Sequence, residues 1–311
     1  MFTNFASASL FPTDSTPWQS KLHKRGYLNS PLVEVTPFVF KDRLYRLENW
    51  QKFWERGGLD NSSDFRQDEV RIRDMETGEL ISIPLRGHAF GTAFVWEDRV
   101  YVFAGDYGHD KPWRAVTQVT LVSSSDLINW SPPLTALTAQ EGEHLFNFAV
   151  CRGRDQFVML YETDDPSYPP FTFKYCVSDD LERWRLLPEA IYGRDKYVGG
   201  PALYFEGDTY YTLYLCDMGG SWETRITRSK DLVHWEDAPE SRPFVTFDST
   251  HGGYQLRPAH VREINASDAE LCSWRGKTIV YFTGGDQEVA GDLQWAEFDG
   301  TPCELLEHYF E

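Results

Sequence analysis

The sequence predicts an all-β protein, a five-bladed β-propeller, from two repeated patterns and from the scarcity of helical periodicity. One pattern is the motif Asp-Leu-x-x-Trp, and the other is a pair of apolar runs joined by a Gly or Asp turn. The tryptophans of the motif recur at intervals of roughly 50–55 residues, in the range of propeller blades. Hardly any segment shows the 3.6-residue period of a helix with one buried face. A ring of four-stranded blades therefore explains the chain best.

The Asp-Leu-x-x-Trp motif occurs in three segments, and each follows an apolar or aromatic run typical of a strand. These segments are Ser125–Trp130, Asp179–Trp184 and Lys230–Trp235. Three copies of one motif predict the same turn in three blades, with the tryptophan packed between blades. A catalytic site is seldom built from identical copies of one element, so we interpret the motif as structural.

The hairpin pattern occurs five times, at about one blade's spacing. Each copy has an apolar strand, a short turn and a second strand rich in β-branched or aromatic residues. The predicted strand pairs are Pro37–Phe40 with Leu44–Leu47, Thr92–Trp96 with Val100–Ala104, Phe148–Cys151 with Phe157–Tyr161, Ala202–Phe205 with Tyr210–Leu215, and Glu270–Trp274 with Thr278–Phe282. A β-sandwich also contains many short strands, but it does not predict this repeat.

The chain of 311 residues is interpreted as one domain, because the repeat extends from Val33 to Phe282. Neither end has the composition of a separate domain. We expect residues 1–30 and 290–311 to complete the first and last blades, which closes the ring and protects its strand edges.

The net charge of the chain excludes some classes of binding partner. The chain carries 48 acidic and 30 basic residues, a formal net charge of −18. A nucleic-acid-binding protein or one attracted to anionic membranes needs a basic surface, and the sequence has no long Lys/Arg cluster. No run of 18 apolar residues predicts a transmembrane helix. We therefore expect neither nucleic acid nor a membrane as a partner.

The cysteines and the first residues bear on the cellular compartment. The five cysteines are odd in number, widely spaced and mostly within strand-like runs. This pattern predicts buried free thiols rather than a disulfide framework or a metal site. The first ten residues have no basic segment followed by an apolar run, as a secretory signal would. We therefore expect a cytoplasmic protein that needs no cofactor.

Polar residues precede the first strand of each hairpin in a common register. The innermost strand of each propeller blade lines the central channel, so these positions should meet at one mouth of the channel. The aligned positions are Glu34, Phe90 with His88 two residues earlier, Asn147, Gly199 and Asp268. A single carboxylate before a strand is usually a solvated turn residue, but the shared register favours a site. The Gly199–Gly200 pair could instead only allow close backbone packing.

Further candidates lie beside this register. Glu270 follows Asp268, and the second strands end at Glu48, Asp106, Glu162 and Asp217, whereas Glu223 begins a third strand. Aromatic residues in loops or at strand ends could stack on sugar rings. They are Trp50, Trp54, Tyr107, Trp113, Tyr168 and Trp222. Glycoside hydrolysis needs two carboxyl groups in different environments, which different blades can present across a channel mouth.

The chain resembles the five-bladed propeller glycosidases of families 32, 43, 62, 68 and 117. The resemblance rests on the repeated Ser-x-Asp-Leu-x-x-Trp words and on the hairpin from Gly200 to Tyr214, and it covers Glu34 to Phe282. It implies the propeller fold and activity on furanosides, xylosides, fructosides or galactan oligomers. The Asn-Asp-Pro nucleophile motif of family 32 is absent. A histidine acid occurs in family 117, which draws attention to His88.

These observations lead to the hypothesis of a glycosidase that acts on a short oligosaccharide at the channel mouth. Glu34 is the expected general base or nucleophile, and Glu162 or Glu223 is the expected general acid. Six further residues are expected to bind the sugar or to tune a carboxyl pKa. They are His88, Asp106, Asn147, Trp222, Asp268 and Glu270.

Two other functions remain open at this stage. A glycoside phosphorylase needs a cationic phosphate site, for which the candidates are Arg86, Arg225, Arg257 and His260. A propeller without catalytic activity would bind carbohydrate or protein and would be insensitive to the substitution Glu34→Gln. Phosphate-dependent turnover distinguishes the first alternative, and binding without turnover distinguishes the second.

Overall fold

The computed structural model describes residues 18–28, 34–50, 68–106, 116–248, 262–286 and 291–311. These residues form twenty β-strands and one short helix. The strands are β1 (His23–Tyr27), β2 (Val35–Phe40), β3 (Arg43–Trp50), β4 (Glu69–Asp74), β5 (Leu80–Arg86), β6 (His88–Trp96), β7 (Arg99–Asp106), β8 (Gln118–Ser124), β9 (Leu134–Thr138), β10 (Leu145–Arg152), β11 (Phe157–Thr163), β12 (Thr172–Ser178), β13 (Arg185–Tyr192), β14 (Gly199–Glu206), β15 (Thr209–Asp217), β16 (Trp222–Ser229), β17 (Trp235–Asp237), β18 (Asn265–Trp274), β19 (Lys277–Gly285) and β20 (Gly291–Phe298).

The strands are arranged as five four-stranded antiparallel blades. Blades I to IV each take four consecutive strands, from β2–β5 to β14–β17. Blade V consists of β18, β19, β20 and β1, because β1 pairs with β20 from His23 opposite Glu297 to Tyr27 opposite Gln294. A short parallel pairing joins blades IV and V, with Trp222 opposite Asn265. The predicted five-bladed propeller is confirmed.

The first strands of the blades form a closed ring around the channel. In order, β2 contacts β6, β6 contacts β10, β10 contacts β14, β14 contacts β18, and β18 returns to β2. Each of these strands contains one of the predicted inner strands and extends it towards one mouth of the channel. The ring therefore gathers one strand start from every blade at that mouth.

The hydrophobic core lies between neighbouring blades rather than at the channel axis. Between blades II and III, the fully buried side chains include Phe103, Met159 and Tyr161, and the Trp96 ring meets the Phe157 ring edge-on at 5.4 Å. Burying rings of this size stabilises the fold by roughly 25 cal/mol per Å² of apolar surface. Blade packing thus leaves the axis free for polar groups.

The Asp-Leu-x-x-Trp segments form one kind of tight turn, as the sequence predicts. In the turn after β12, Asp180 Oδ1 accepts the backbone N–H groups of Glu182 (3.0 Å) and Arg183 (2.9 Å). Leu181 adopts a left-handed backbone with φ of 67° and is buried, and its carbonyl accepts the Trp184 indole N–H at 2.9 Å. The turns after β8 and β16 repeat the aspartate bonds, so the motif has a structural role.

The helix α1 (Pro302–His308) has no counterpart in the sequence prediction. It begins with a capping box, in which Thr301 accepts the Glu304 N–H and the Glu304 carboxylate accepts the Thr301 N–H at 2.8 Å. Its leucines Leu305 and Leu306 are buried against blades IV and V. Within the described residues, no helix has the length and apolar character to cross a membrane.

Candidate functional site

Each inner strand has a residue with left-handed backbone, within the strand or just before it, at the same mouth of the channel. The φ angles are 55° at Glu34, 56° at Phe90, 23° at Asn147, 51° at Gly200 and 52° at Asp268. In β6, β10, β14 and β18, the pairing register shifts at this point, which is the signature of a β-bulge. Bulges re-aim side chains, and a positive φ costs free energy in any residue other than glycine. The fold therefore directs these positions towards the axis, with blade IV using Gly200 rather than the predicted Gly199.

The side chains at this mouth include four carboxyl groups and one amide. Glu34, Asn147, Asp268 and Glu270 line a small common cavity with Gly200. Glu162 reaches the same place from β11, because its Oε2 accepts the Gly200 N–H at 2.9 Å and the Asn147 Nδ2 at 3.2 Å. We call these five residues, Glu34, Asn147, Glu162, Asp268 and Glu270, the axial cluster.

Two glycines create the space that the carboxylates occupy. A Cβ atom added at Gly200 would collide with the Asp268 carboxylate. A Cβ atom added at Gly199 would lie 2.9 Å from the Tyr197 hydroxyl and 3.6 Å from Glu162 Oε2. The Gly199–Gly200 pair therefore allows close packing, and the axial cluster packs against it.

Ionising the carboxyl groups of the axial cluster is unfavourable in free energy. Burial raises the pKa of Glu34 well above its usual range, and the nearby Asp268, Glu162 and Glu270 raise it further, while a hydrogen bond from Asn147 partly offsets these effects. Burial likewise raises the pKa of Glu270 to about 8, although Thr36 donates a hydrogen bond to it at 2.9 Å. Like charges and loss of hydration both favour the protonated carboxyl. The cluster thus retains protons at neutral pH.

Asn49, which the sequence analysis missed, links the backbone at Glu34 to the bulge of β6. Its Nδ2 donates to the Glu34 carbonyl at 2.8 Å and to the Gly91 carbonyl at 3.1 Å, and its Oδ1 accepts the Gly91 N–H at 2.7 Å. The side chain is 2% exposed at the end of β3. This one amide therefore ties the start of blade I to the bulge of blade II, beside Phe90.

A series of aromatic rings extends outward from the cluster. Ring centroids are 5.5 Å apart for Phe90 and Phe146, 4.9 Å for Phe146 and Phe171, 6.1 Å for Phe171 and Tyr197, and 5.7 Å for Tyr197 and Trp222. We call these five residues the aromatic arc. Its last three members are partly exposed. Partly exposed rings next to polar groups provide the surface on which sugar faces stack.

Four predicted residues lie outside the axial cluster. His88 lies two residues before the bulge, with Nδ1 2.8 Å from the Arg86 carbonyl and Nε2 3.0 Å from the Thr120 hydroxyl. Asp106 is its strand partner on β7. Glu223 forms an ion pair with Arg225 on its own strand. Trp222 reaches the cluster only through the aromatic arc.

The remaining candidates are also placed by the structure. Glu48 forms ion pairs with Arg46 (2.5 Å) and Arg73 (2.9 Å). Asp217 accepts the Gly219 N–H. Of the carboxylates that end the second strands, only Glu162 therefore joins the cluster. Five candidates lie outside the described residues, namely Trp54, Tyr107, Trp113, Arg257 and His260. Across the ranges that the structure describes, no three His, Cys, Asp or Glu side chains are placed to share a metal ion.

Comparisons with known proteins identify the fold. No family model matches the sequence, and no curated protein matches it either. Among solved structures, BT0996 in a complex with RGII is similar, with a TM-score of 0.65 and 15% identity over 88% of this protein and 91% of that one. A thermostable family-43 glycoside hydrolase has a TM-score of 0.60 and 11% identity, with 86% and 88% covered.

A third similar structure is CoXyl43, a β-xylosidase/α-arabinofuranosidase from a compost microbial metagenome, in complex with xylotriose. Its TM-score is 0.55 and its identity 12%, with 89% of this chain and 97% of that chain covered. Identities this low support a shared fold and nothing finer. The chain therefore has the fold of the five-bladed propeller glycoside hydrolases, with a group of carboxyls at one channel mouth.

Proposed function

We propose that the protein is a glycoside hydrolase that acts on a short oligosaccharide or glycoside at the channel mouth formed by the axial cluster. One observation carries the proposal: two carboxyl groups, Glu34 and Glu162, lie in the same cluster, where burial and like charges raise the pKa of Glu34 and two N–H donors bind Glu162. Glycosidases need one carboxyl that keeps its proton and one that is ionised. Environments that separate the two groups are the usual way to assign these roles.

Glu34 is the general acid in this proposal. Burial and three neighbouring carboxylates raise its pKa, so it carries a proton that it can give to the leaving glycosidic oxygen. Its left-handed backbone and the Asn49 hydrogen bond to its carbonyl hold it at the axis. The sequence had suggested the base or nucleophile role for Glu34, but its surroundings favour the acid.

Glu162 is the base or nucleophile. Its Oε2 accepts two N–H donors, the Gly200 backbone and the Asn147 amide, and donors of this kind favour the ionised carboxylate. An ionised carboxylate can activate water or attack the anomeric carbon. Once a sugar is bound, its oxocarbenium-like transition state carries positive charge, which the surrounding carboxylates stabilise.

Substrate binding falls to the rest of the cluster and to the aromatic arc. Asp268 and Glu270 offer acceptors for sugar hydroxyls, and Glu270 in its protonated form also offers a donor. Phe171, Tyr197 and Trp222 offer partly exposed rings for a sugar face. The similar structures in complex with RGII and with xylotriose support a carbohydrate as the ligand class.

The positions of the two cation candidates that the structure describes favour hydrolysis over phosphorolysis. Of the predicted phosphate-binding residues, Arg86 forms an ion pair with Glu69, and Arg225 forms one with Glu223. Neither guanidinium is among the groups that act on Glu34 or Glu270. A phosphate dianion next to four carboxyl groups would be repelled unless such cations were present.

The test is sugar release from a panel of aryl glycosides and short oligosaccharides, including furanosides, with and without inorganic phosphate. We expect phosphate-independent turnover of at least one substrate by the wild type. Glu34→Gln keeps the shape of the side chain but removes the proton donor, and should lower kcat by about 10²–10⁴ for substrates with poor leaving groups. Glu189→Gln, on the exposed face of β13, is the matched control and should retain full activity.

Three results would contradict the proposal. Equal turnover by wild type and Glu34→Gln would remove Glu34 from the chemistry. Turnover only with phosphate would indicate a phosphorylase. Saturable sugar binding to both proteins without any product would indicate a binding module. Circular dichroism of each variant ensures that lost activity is not lost structure.

A further inference from the structure

A histidine and an aspartate form a hydrogen-bonded pair at the channel mouth, outside the axial cluster. His144 directly precedes β10, and Asp164 directly follows β11. Nδ1 of His144 lies 2.8 Å from Asp164 Oδ2, and Asp164 Oδ1 accepts the His144 backbone N–H at 2.7 Å. We call these two residues the rim pair. A carboxylate can only accept hydrogen bonds, so the imidazole carries its proton on Nδ1 and presents the lone pair of Nε2.

The rim pair continues the pairing of β10 with β11 beyond Glu162. Leu145 lies opposite Thr163 at the end of this ladder, so the next two positions are those of His144 and Asp164. Side chains alternate between the faces of a strand, and two residues advance it by roughly 7 Å. Asp164 therefore follows Glu162 on the same face of blade III. The rim pair lies just outside the axial cluster, on the blade III side of the mouth.

A buried lysine holds together the two chain segments that carry the rim pair. Lys174 Nζ lies 2.6 Å from Glu143 Oε2 and 2.7 Å from Asp165 Oδ2. Glu143 and Asp165 are the residues directly before and directly after the rim pair in the two segments. The side chains of Lys174 and Glu143 are 11% and 2% exposed, so these ion pairs are well shielded from water. Groups held in this way by a second layer of contacts are pre-organised for a ligand.

The Nε2 atom of His144 is open to a ligand. Within the part of the chain that the structure describes, this atom has no hydrogen-bond partner, and the side chain is 39% exposed.

The protein contains a second pair of the same kind, which allows a comparison. Nδ1 of His234 also lies 2.8 Å from an aspartate, Asp231, but this pair belongs to the outer turn after β16 and its histidine side chain is 86% exposed. Asp231 uses its other oxygen to accept two backbone N–H groups of the same turn. This turn follows the end of β16 that is remote from the mouth, so His234 has a turn-closing contact and no carboxyl of the axial cluster beside it.

We propose that the rim pair binds the second sugar residue of the substrate, next to the sugar held by the axial cluster. His144 Nε2 accepts a hydrogen bond from a hydroxyl group of this second sugar. Asp164 is a positioning residue, because it fixes the tautomer and the orientation of the imidazole. The substrate is therefore an oligosaccharide of at least two residues rather than a simple glycoside. The inference rests on the proposed glycosidase function and adds to it the part of the substrate that extends over blade III.

The first test compares two substrates from the panel that share one terminal sugar, an oligosaccharide and an unsubstituted phenyl glycoside. The phenyl group has no hydroxyl to donate. His144→Ala should raise KM for the oligosaccharide by about tenfold with little change in kcat, which is the signature of lost uniform binding. KM for the phenyl glycoside should stay within about twofold. The matched control His234→Ala should leave both values unchanged.

The outcome of this test separates the inference from the proposed function. An unchanged KM for the oligosaccharide in a folded His144→Ala protein, or an equal rise for both substrates, would overturn the second-sugar site, although the phenyl glycoside is still hydrolysed. Circular dichroism checks the fold of each variant, and His144→Gln replaces His144→Ala if that variant does not fold.

The second test needs no turnover, since long-range ¹H–¹⁵N NMR spectra show which imidazole nitrogen carries the proton. The wild type should show the Nδ1–H tautomer of His144, and the same oligosaccharide should shift the Nε2 resonance. Asp164→Asn can present an amide N–H to Nδ1, so the proton should move to Nε2 and the oligosaccharide should bind about tenfold more weakly. A shift of Nε2 would support the site even if no panel substrate were hydrolysed. No shift with up to about 10 mM oligosaccharide would overturn it.

Discussion

The aspartates of the outer turns and the carboxylates of the axial cluster differ in what surrounds the charge. In the turn at Asp180, backbone N–H groups and the Arg183 guanidinium lower the pKa of the aspartate to about 2. In the cluster, burial and like charges raise the pKa of Glu34, and raise that of Glu270 to about 8. The same chemical group is thus stabilised as an anion in one region and destabilised as an anion in the other.

This difference separates structure from function. The turn satisfies its charge within six residues of chain, so the arrangement is local and recurs in three blades. The cluster collects its charges from blades I, III and V, and it costs folding free energy that a purely structural arrangement would avoid. Crowded, poorly compensated carboxyls of this kind are maintained where their protons are used.

The largest effect is expected at Glu162. Glu162→Gln should lower kcat by about 10²–10⁴, because a neutral amide can neither activate water nor attack the sugar. The free energy of unfolding should stay the same or rise, since a negative charge is removed from a group of four crowded carboxyls. The measurements are kcat on the substrate found in the panel and urea denaturation. Undiminished kcat would exclude Glu162 from the reaction.

Asn49→Ala should have the next largest effect. It removes three hydrogen bonds, two of them buried, and leaves the Gly91 N–H unpaired, which should lower the free energy of unfolding by about 2–3 kcal/mol. The rate should fall by about tenfold as Glu34 loses its anchor. Chemical denaturation and kcat measure the two effects. Asn129→Ala, at an exposed turn amide, is the control. If Asn49→Ala is as active as wild type, Asn49 supports only the fold.

Glu270→Gln tests how much the ionisation of the axial cluster lowers the free energy of unfolding as pH rises. The folded-state pKa of about 8 lies above the ordinary value of 4.5, so the folded protein binds more protons between these values. Wild-type stability should therefore fall as pH rises from about 4.5 to about 8, and the glutamine variant should lack this contribution. At pH 9 we expect the variant to be more stable than wild type by about 4 kcal/mol, relative to their difference at pH 5. Parallel pH profiles of the urea midpoints would contradict this interpretation.

The smallest effect is expected in the outer turn. Asp180→Ala removes two backbone hydrogen bonds at a partly exposed site, and should lower the free energy of unfolding by about 1 kcal/mol. Because the turn is remote from the chemistry, kcat should not change. Thermal unfolding and the sugar-release assay give the two values. A loss of activity in a folded Asp180→Ala protein would contradict the purely structural role of the outer turn.

Much of the fold and part of the site were predictable from local pattern. The hairpins follow from alternating apolar runs and turns, and the common register placed Glu34, Asn147 and Asp268 before their strands. The capping box at Thr301 and Glu304 was a readable signal for α1, but seven residues are too few for a clear helical period. Asn49 gave no signal, because its partners are backbone groups 15 and 42 residues away.

By itself, the amino-acid sequence determined the repeat, the blade number, the tight turns and the approximate register of the channel positions. All of these depend on interactions between residues close in the chain. Only the tertiary structure decided that Glu162 rather than Glu223 joins Glu34, and that Gly200 makes room for Asp268. Those outcomes depend on how neighbouring blades pack and on where each bulge turns the chain. Both bring together residues that are far apart in the sequence, so no local pattern encodes them.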